Sequence, residues 1–491
     1  MSIHTQYRRI TFASIVLLAA CLSGRAAGAV TVPVGQHPQR NPFYGEALYY
    51  SFQEDYFTAL SKLMAARQQG QLNDQAGAAE LLSRWLHLIS GATGTPGPRF
   101  QALLKEQLSP GVRDEIWFDL GRVFFLRGDY PPAEAALRHS HAGLTGAHRK
   151  AYPSLLARIL MAQNEYQQAA DVLQSARKLW DWAPFARYNL GIALYQAGRK
   201  TAGITQLESL GQRTTADPVL QALRDQANVT LGHLYLQNSR PKMAKTAFKR
   251  VQLQGPYARQ ALLGLGWAEW DAGKPRPAQL AWSELLGSKD NRDPLVQEAL
   301  LGIPQSLWQL QSHTLATRKF REAIDIYQQQ LQLLDQAITR ASKGIWQTRL
   351  LTQNGQMPVL QHAWKVIGAS PLAHYLQALL HDHRFQATLQ SYQQLDELAI
   401  RISANARRLS ILEALPAAAD SAASLRQLSQ RRQQLQHNID QRRQEHARLL
   451  QELIIEALQR QRRQLTQRLI DARLFLARLL DELAASPAGT P

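Results

Sequence analysis

From Phe43 onward the apolar residues recur at helical spacing, in segments separated by short breaks, and the arrangement repeats. Five segments line up without gaps: WFDLGRVFFLRGDYPPAEAAL from Trp117, LLARILMAQNEYQQAADVL from Leu155, YNLGIALYQAGRKTAGITQL from Tyr188, TLGHLYLQNSRPKMAKTAF from Thr230 and GLGWAEWDAGKPRPAQLAW from Gly264. Each carries a small residue in its first half: Gly121, Ala157, Gly191, Gly232 and Gly266. Seven positions later stands Gly128, Asn164, Gly198, Ser239 or Gly273, and five further on Ala133, Ala169, Gly203, Ala244 or Ala278. Four beyond that lies a large apolar residue: Leu137, Leu173, Leu207, Phe248 or Trp282.

This spacing predicts two helices joined by a tight turn, repeated along the chain. Small residues let the two backbones approach, and the turn favours residues that tolerate positive φ. The large residue fills the gap toward the next unit. With the pattern Trp117, Leu120, Gly121, Phe124, Gly128, Tyr130, Ala133 and Leu137, the chain resembles the tetratricopeptide-repeat family. The clear resemblance covers roughly 114–327. It implies an all-α helical superhelix and a scaffold for protein–protein interaction rather than an enzyme. A sixth, degraded unit begins near Leu295; there Leu301-Gly302 and FREAIDIY from Phe320 fit the two helices with about nine extra residues between them, and Pro304 interrupts the first. Phe43 to Leu63 resembles a further unit through Ala47, Tyr56, Ala59 and Leu63, and 75–105 offers another, broken by GATGTPGP.

Beyond the repeats, 331–415 reads as helical without the period. From Pro416 to Pro487 no Gly or Pro intervenes. One stripe holds Leu435, Ile439, Arg442, His446, Leu449 and Leu453, and a second holds Leu465, Leu469, Ala472, Leu476, Leu479 and Leu483, out of phase with the first. A coiled-coil helix with a stutter or two helices of a hairpin both satisfy the pattern, and an arm for self-association or a second partner competes with a plain solvated face. The expected division is therefore 1–20 signal, 21–42 tether, 43–110 degenerate repeats, 111–330 repeat array, 331–415 helical region and 416–487 long basic helix.

The start of the chain changes the expected compartment. Arg8 and Arg9 precede an apolar run from Ile10 to Ala20, too short for a transmembrane helix and fitting a secretory signal. Leu18-Ala19-Ala20-Cys21 resembles the lipobox of bacterial lipoproteins, and Cys21 is the single cysteine of 491 residues. The resemblance implies lipidation of Cys21 and, with Leu22 rather than aspartate next, an anchor in the outer membrane facing the periplasm. Ala27-Gly28-Ala29 offers the competing site of an ordinary signal peptide, leaving a free periplasmic protein; a cytosolic chain with an apolar start is a third reading.

Charge narrows the partners. The formal net charge is +18 and the pI about 10.1. Such a surface attracts acidic partners, and export would remove nucleic acid as the default. An accessory role in anionic polysaccharide export, or association with peptidoglycan, is the alternative to an envelope protein partner.

No catalytic constellation is present: there is no G-x-S-x-G, H-E-x-x-H or Walker loop, and the GLG at Gly264 sits on a repeat helix where packing explains it. No cofactor or metal is expected. His381-Asp382-His383 places neighbours on different helix faces, and His139 with His141 follows a repeat helix. The family resemblance points instead to the groove lined by first helices. Carried onto this chain, its positions include Phe118, Arg122, Phe125, Arg158, Tyr188, Tyr195, His233, Trp267 and Trp270. The family's clamp for C-terminal carboxylates needs Lys and Asn at set positions; Phe118, Arg122, Tyr188 and Ile192 stand where it would be, so that clamp is absent.

Overall fold

The computed structural model describes residues 41–52, 56–72, 76–89, 105, 110–140, 143–144, 146–176, 184–287, 290–344, 373–376, 379–380, 382–413 and 419–485. Cys21, nearly all of the tether, His141 and His381 lie outside them, and the side chain of His383 is not described. Among the described residues every element is a helix. Helices α1 (Pro42–Phe52), α2 (Tyr56–Gln68) and α3 (Ala76–Ile89) come first. Then follow the pairs α4 (Pro110–Arg127) with α5 (Tyr130–His139), α6 (Gly146–Ala162) with α7 (Tyr166–Ser175), and α8 (Pro184–Gln196) with α9 (Lys200–Gly211). Next come α10 (Pro218–Gln237) with α11 (Pro241–Lys249), α12 (Ala258–Asp271) with α13 (Pro275–Leu286), and α14 (Pro294–Gln309) with α15 (His313–Ser342). The chain ends in α16 (Ala373–Leu376), α17 (His383–Glu413) and α18 (Ala419–Ala485).

The turns are built as their residue types require. Gly128, Asn164, Gly198, Ser239 and Gly273 all adopt positive φ, from 56° to 87°. In each, the next residue's N–H reaches back across the turn to a first-helix carbonyl, as Asp129 does to Phe124 O at 2.9 Å and Arg240 to Tyr235 O at 2.8 Å. These bonds satisfy carbonyls that the helix end would leave unpaired. Prolines at the second-helix starts of α5, α11 and α13 lose no hydrogen bond there. Asp217 and Asp293 cap α10 and α14, their Oδ1 atoms accepting from Val219 N and Leu295 N at 2.8 Å.

Close approach at the small residues is literal. A Cβ on Gly232 would stand 2.4 Å from the Phe248 ring, and one on Gly264 2.2 Å from the same ring. Phe248 therefore wedges between its own repeat and the next. Trp282 repeats the arrangement against Gly266 at 2.1 Å and Gly302 at 2.8 Å.

That wedge corrects the register of the sixth unit. Gly302 corresponds to Gly264, the contact with the preceding repeat. Counting back from Phe320 by four, five and seven gives Ala316, Gln311 and Pro304. Gln311 has φ 59°, Ser312 N–H bonds Leu307 O at 2.9 Å, and Ala316 and Phe320 are fully buried. No extra residues lie between the helices. Pro304 occupies the small-residue position, buried inside an unbroken α14. At the other end, Ala47, Ala59 and Leu63 are buried as one unit, and α3 begins the next.

Three apolar clusters follow one another along the molecule, spanning 44–194, 188–268 and 263–479. The third joins the last repeats to the C-terminal helices. The boundary expected at 330 falls inside α15, which continues to Ser342. Helix α18 is one unbroken helix of 67 residues, not a hairpin in itself. At 1.5 Å per residue it is roughly 100 Å long. It first runs antiparallel to α17, where Arg443 pairs with Asp396 and lies 5.6 Å over Tyr392. It then runs antiparallel to α15: Gln451 Nε2 donates to Ala341 O at 2.9 Å, and Phe475 stacks on Phe320 at 6.2 Å. The phase shift between Leu453 and Leu458 lies where α18 exchanges one neighbour for the other. Leu450, Leu453, Ile454 and Leu458 are all buried there. Helix α17 also reaches α4, with Arg384 Cγ 3.1 Å from where a Cβ on Gly128 would stand. No described helix is long and apolar enough to cross a membrane.

Candidate partner groove

Successive first helices (α4, α6, α8, α10, α12 and α14) pack against one another more closely than the second helices do. The array therefore curves with its first helices inside, and the nine expected groove residues stand on those helices. They divide into two groups.

Phe118, Phe125, Tyr188 and Tyr195 are buried. Phe118 packs on His148, ring centroids 4.8 Å apart. Tyr188 shares a 2.9 Å hydrogen bond with the Thr230 hydroxyl, and burial pushes its phenol up to about 12. The Tyr195 hydroxyl accepts from Asn238 Nδ2 at 2.9 Å. These four rings join neighbouring repeats; they do not present a face to a partner.

Arg122, Arg158, His233, Trp267 and Trp270 are only partly buried. Arg122 pairs with the buried Asp119 at 3.3 Å, and the Arg158 guanidinium lies 4.6 Å over the Phe125 ring. His233 meets the Phe248 ring edge-on at 5.3 Å, and burial pulls its imidazole down to about 4, so it is neutral at pH 7. Trp267 and Trp270 flank Trp282 at 4.9 and 6.2 Å. The chemistry on offer is cations backed by rings at one end of the array and indoles at the other. Such groups supply much of the energy in protein interfaces.

One cluster was not legible beforehand. Trp267 Nε1 donates to Glu298 Oε1 at 2.8 Å, and Arg468 from α18 stands 3.6 Å from Glu298 Oε2. Arg468 also donates to Gln297 Oε1 at 3.1 Å, while Gln297 Nε2 donates to the Tyr375 hydroxyl at 2.8 Å. Tyr375 in turn donates to Gln330, and the Tyr327 hydroxyl to Gln297 O. Burial pushes Tyr375 up to about 12 and Tyr327 up as well. This network ties α12, α14, α15 and α16 to the C-terminal helix. The one signal for it was a Gln-Glu pair inside the apolar run of α14. Among the described residues no group of three His, Cys, Asp or Glu is placed to hold a metal ion.

One family model agrees with this geometry. The tetratricopeptide-repeat family model matches residues 154–218, 229–275 and 263–330, together about a third of the chain. The repeats are thus tetratricopeptide repeats, an interaction fold, and no enzymatic family is indicated. No curated protein matches the chain. Among solved structures, the apo form of RapI is 9% identical, covering 84% of this chain and 98% of its own, with a TM-score of 0.31. A Rap protein complexed with competence and sporulation factor is 15% identical over 58% of this chain and 90% of its own, TM-score 0.27. The human IFIT1 dimer with PPP-AAAA is 11% identical over 89% and 94%, TM-score 0.26.

Proposed function

We propose that this chain is a non-enzymatic scaffold of the bacterial cell envelope, holding a protein partner along the inner face of its repeats during envelope assembly or trafficking. The observation that carries the reading is the inner face itself. Four of the six first helices, α4, α6, α10 and α12, carry Arg122, Arg158, His233, Trp267 and Trp270, each partly exposed and backed by a buried ring or acid. The envelope part of the reading rests on the basic, then apolar, N-terminal run ending in Leu18-Ala19-Ala20-Cys21. Lipidated Cys21 holds the protein on the periplasmic face of the outer membrane, with the residues before Phe43 as its tether.

A photo-crosslinking residue at Trp270 in living cells, followed by mass spectrometry, tests the partner. The expected result is one dominant envelope protein, lost when Arg122 and Arg158 are both changed to Glu. Adducts with carbohydrate polymer would transfer the reading to anionic polysaccharide, which the +18 charge also suits. The intact mass of the mature N-terminus tests the anchor: acyl chains on Cys21 are expected, and an unmodified chain beginning after Ala29 would refute it.

A further inference from the structure

In the outer part of α18 the side chains of Leu425, Ser429, Arg432 and Gln436 are partly buried, and an apolar edge beside them stays open. Among the described side chains of α18, Ile439 is the first buried apolar one; upstream, Leu428 and Leu435 are 45% and 54% exposed. The antiparallel stretch of α17 ends in the same condition, with Ile400 and Ile411 64% and 65% exposed. From Ala419 to Asn438 the projecting part of α18 is on the order of 30 Å long. Leu428 and Leu435 are seven residues apart, and the seam they begin continues into Ile439, Leu450 and Leu453, which α17 and α15 cover. Beside the partly buried line of Leu425, Ser429, Arg432 and Gln436, the outer hairpin thus leaves open an apolar edge that the packed part covers.

The flank on α18 is basic. Between Arg426 and Arg443 stand five arginines and a single acid, Asp440, which Arg443 engages at 3.4 Å. Arg426, Arg431 and Arg442 are exposed, and Arg432 partly so.

We infer that the outer hairpin of α17 and α18 is a docking surface for an amphipathic helix of a protein partner, with Asp or Glu flanking its apolar stripe. Heptad spacing fits a helix laid along the seam, and arginines beside it select carboxylates. A second copy would set like charges against each other along the whole contact. A lipid surface fits less well: residues 400–443 hold no Trp, Tyr or Phe to anchor at the headgroup boundary. This surface lies outside the repeat groove and does not rest on the reading of that groove.

The test uses the full chain and two synthetic helices about four heptads long, with Leu and Ile on the seam and either Glu or Lys on both flanks. Each is used at concentrations where the peptide alone is monomeric. The Glu-flanked helix is expected to bind roughly ten-fold or more tightly than the Lys-flanked one. Leu428→Glu with Leu435→Glu should abolish binding while leaving thermal unfolding unchanged. Arg431→Gln with Arg432→Gln should remove the preference for the acidic flank and its salt dependence. Equal binding of both helices, or no effect of the leucine changes, would overturn the inference. So would concentration-dependent dimerisation that the leucine changes abolish, or co-sedimentation with phosphatidylglycerol vesicles in place of peptide binding.

Discussion

In the repeat array each helix finds its neighbours close by in the chain; in the C-terminal unit the contacts span most of a domain. Phe248 fills the space beside Gly232 and Gly264, sixteen residues away on either side. Arg468 meets Gln297 across 171 positions and Glu482 meets Trp308 across 174. Local packing repeats and so announces itself in sequence. Distant packing occurs once, and one amphipathic helix can satisfy several partners. The two regions also differ in closure: the array buries its seams, and the outer hairpin leaves part of one open.

Changes that attack the array's wedges should have the largest effect. Phe248→Ala empties contacts with two repeats at once, and a loss of about 3–5 kcal/mol is expected in denaturant unfolding. A loss below about 1 kcal/mol would mean that the repeats are held by something other than these small–large pairs. Next comes the tie between the regions. Arg468→Ala removes the cation beside the Glu298 carboxylate, 7% exposed, leaving it the Trp267 indole, and should cost about 3 kcal/mol. Hydrogen exchange should then accelerate in 459–485 while 188–250 stays protected.

Acid probes the array from a different side. Burial lowers the folded-state value of His233 to about 4 from an ordinary 6.5. The unfolded chain therefore takes up the proton first, and stability is lost as pH falls from about 6.5 through 4, on the order of 2–3 kcal/mol. His233→Gln should flatten that part of the pH profile of unfolding. A smaller effect belongs to Gly198→Ala, where φ is 87° and nothing stands within 4 Å of the added methyl. Backbone strain alone should cost about 1 kcal/mol. The smallest belongs to the open hairpin, where Leu428→Glu with Leu435→Glu should change thermal stability by no more than about 0.5 kcal/mol.

How far the sequence was legible follows the same division. Turn residues, small residues and plugs were readable because each repeat imposes one spacing on them. The sixth unit was misread because Pro304 stands where glycine or alanine was sought, although Phe320, Ala316 and Gln311 kept the spacing. In α18 the stripes and their phase shift were visible, but their cause was not: the exchange of α17 for α15 is a tertiary event. Of the expected groove residues, Phe118, Phe125, Tyr188 and Tyr195 are consumed by packing between repeats, which a pattern of aromatics does not reveal. Glu298 and Arg468 escaped because neither belongs to the repeat signature.

The contrast between a closed array and an open hairpin is tested most directly by hydrogen–deuterium exchange resolved along the full chain. Strong protection is expected through 188–341 and 439–479, with rapid exchange in 400–413 and 419–438. Equal protection of the hairpin and the array would contradict the account, because it would show the exposed seam of Leu428 and Leu435 already closed within the protein itself.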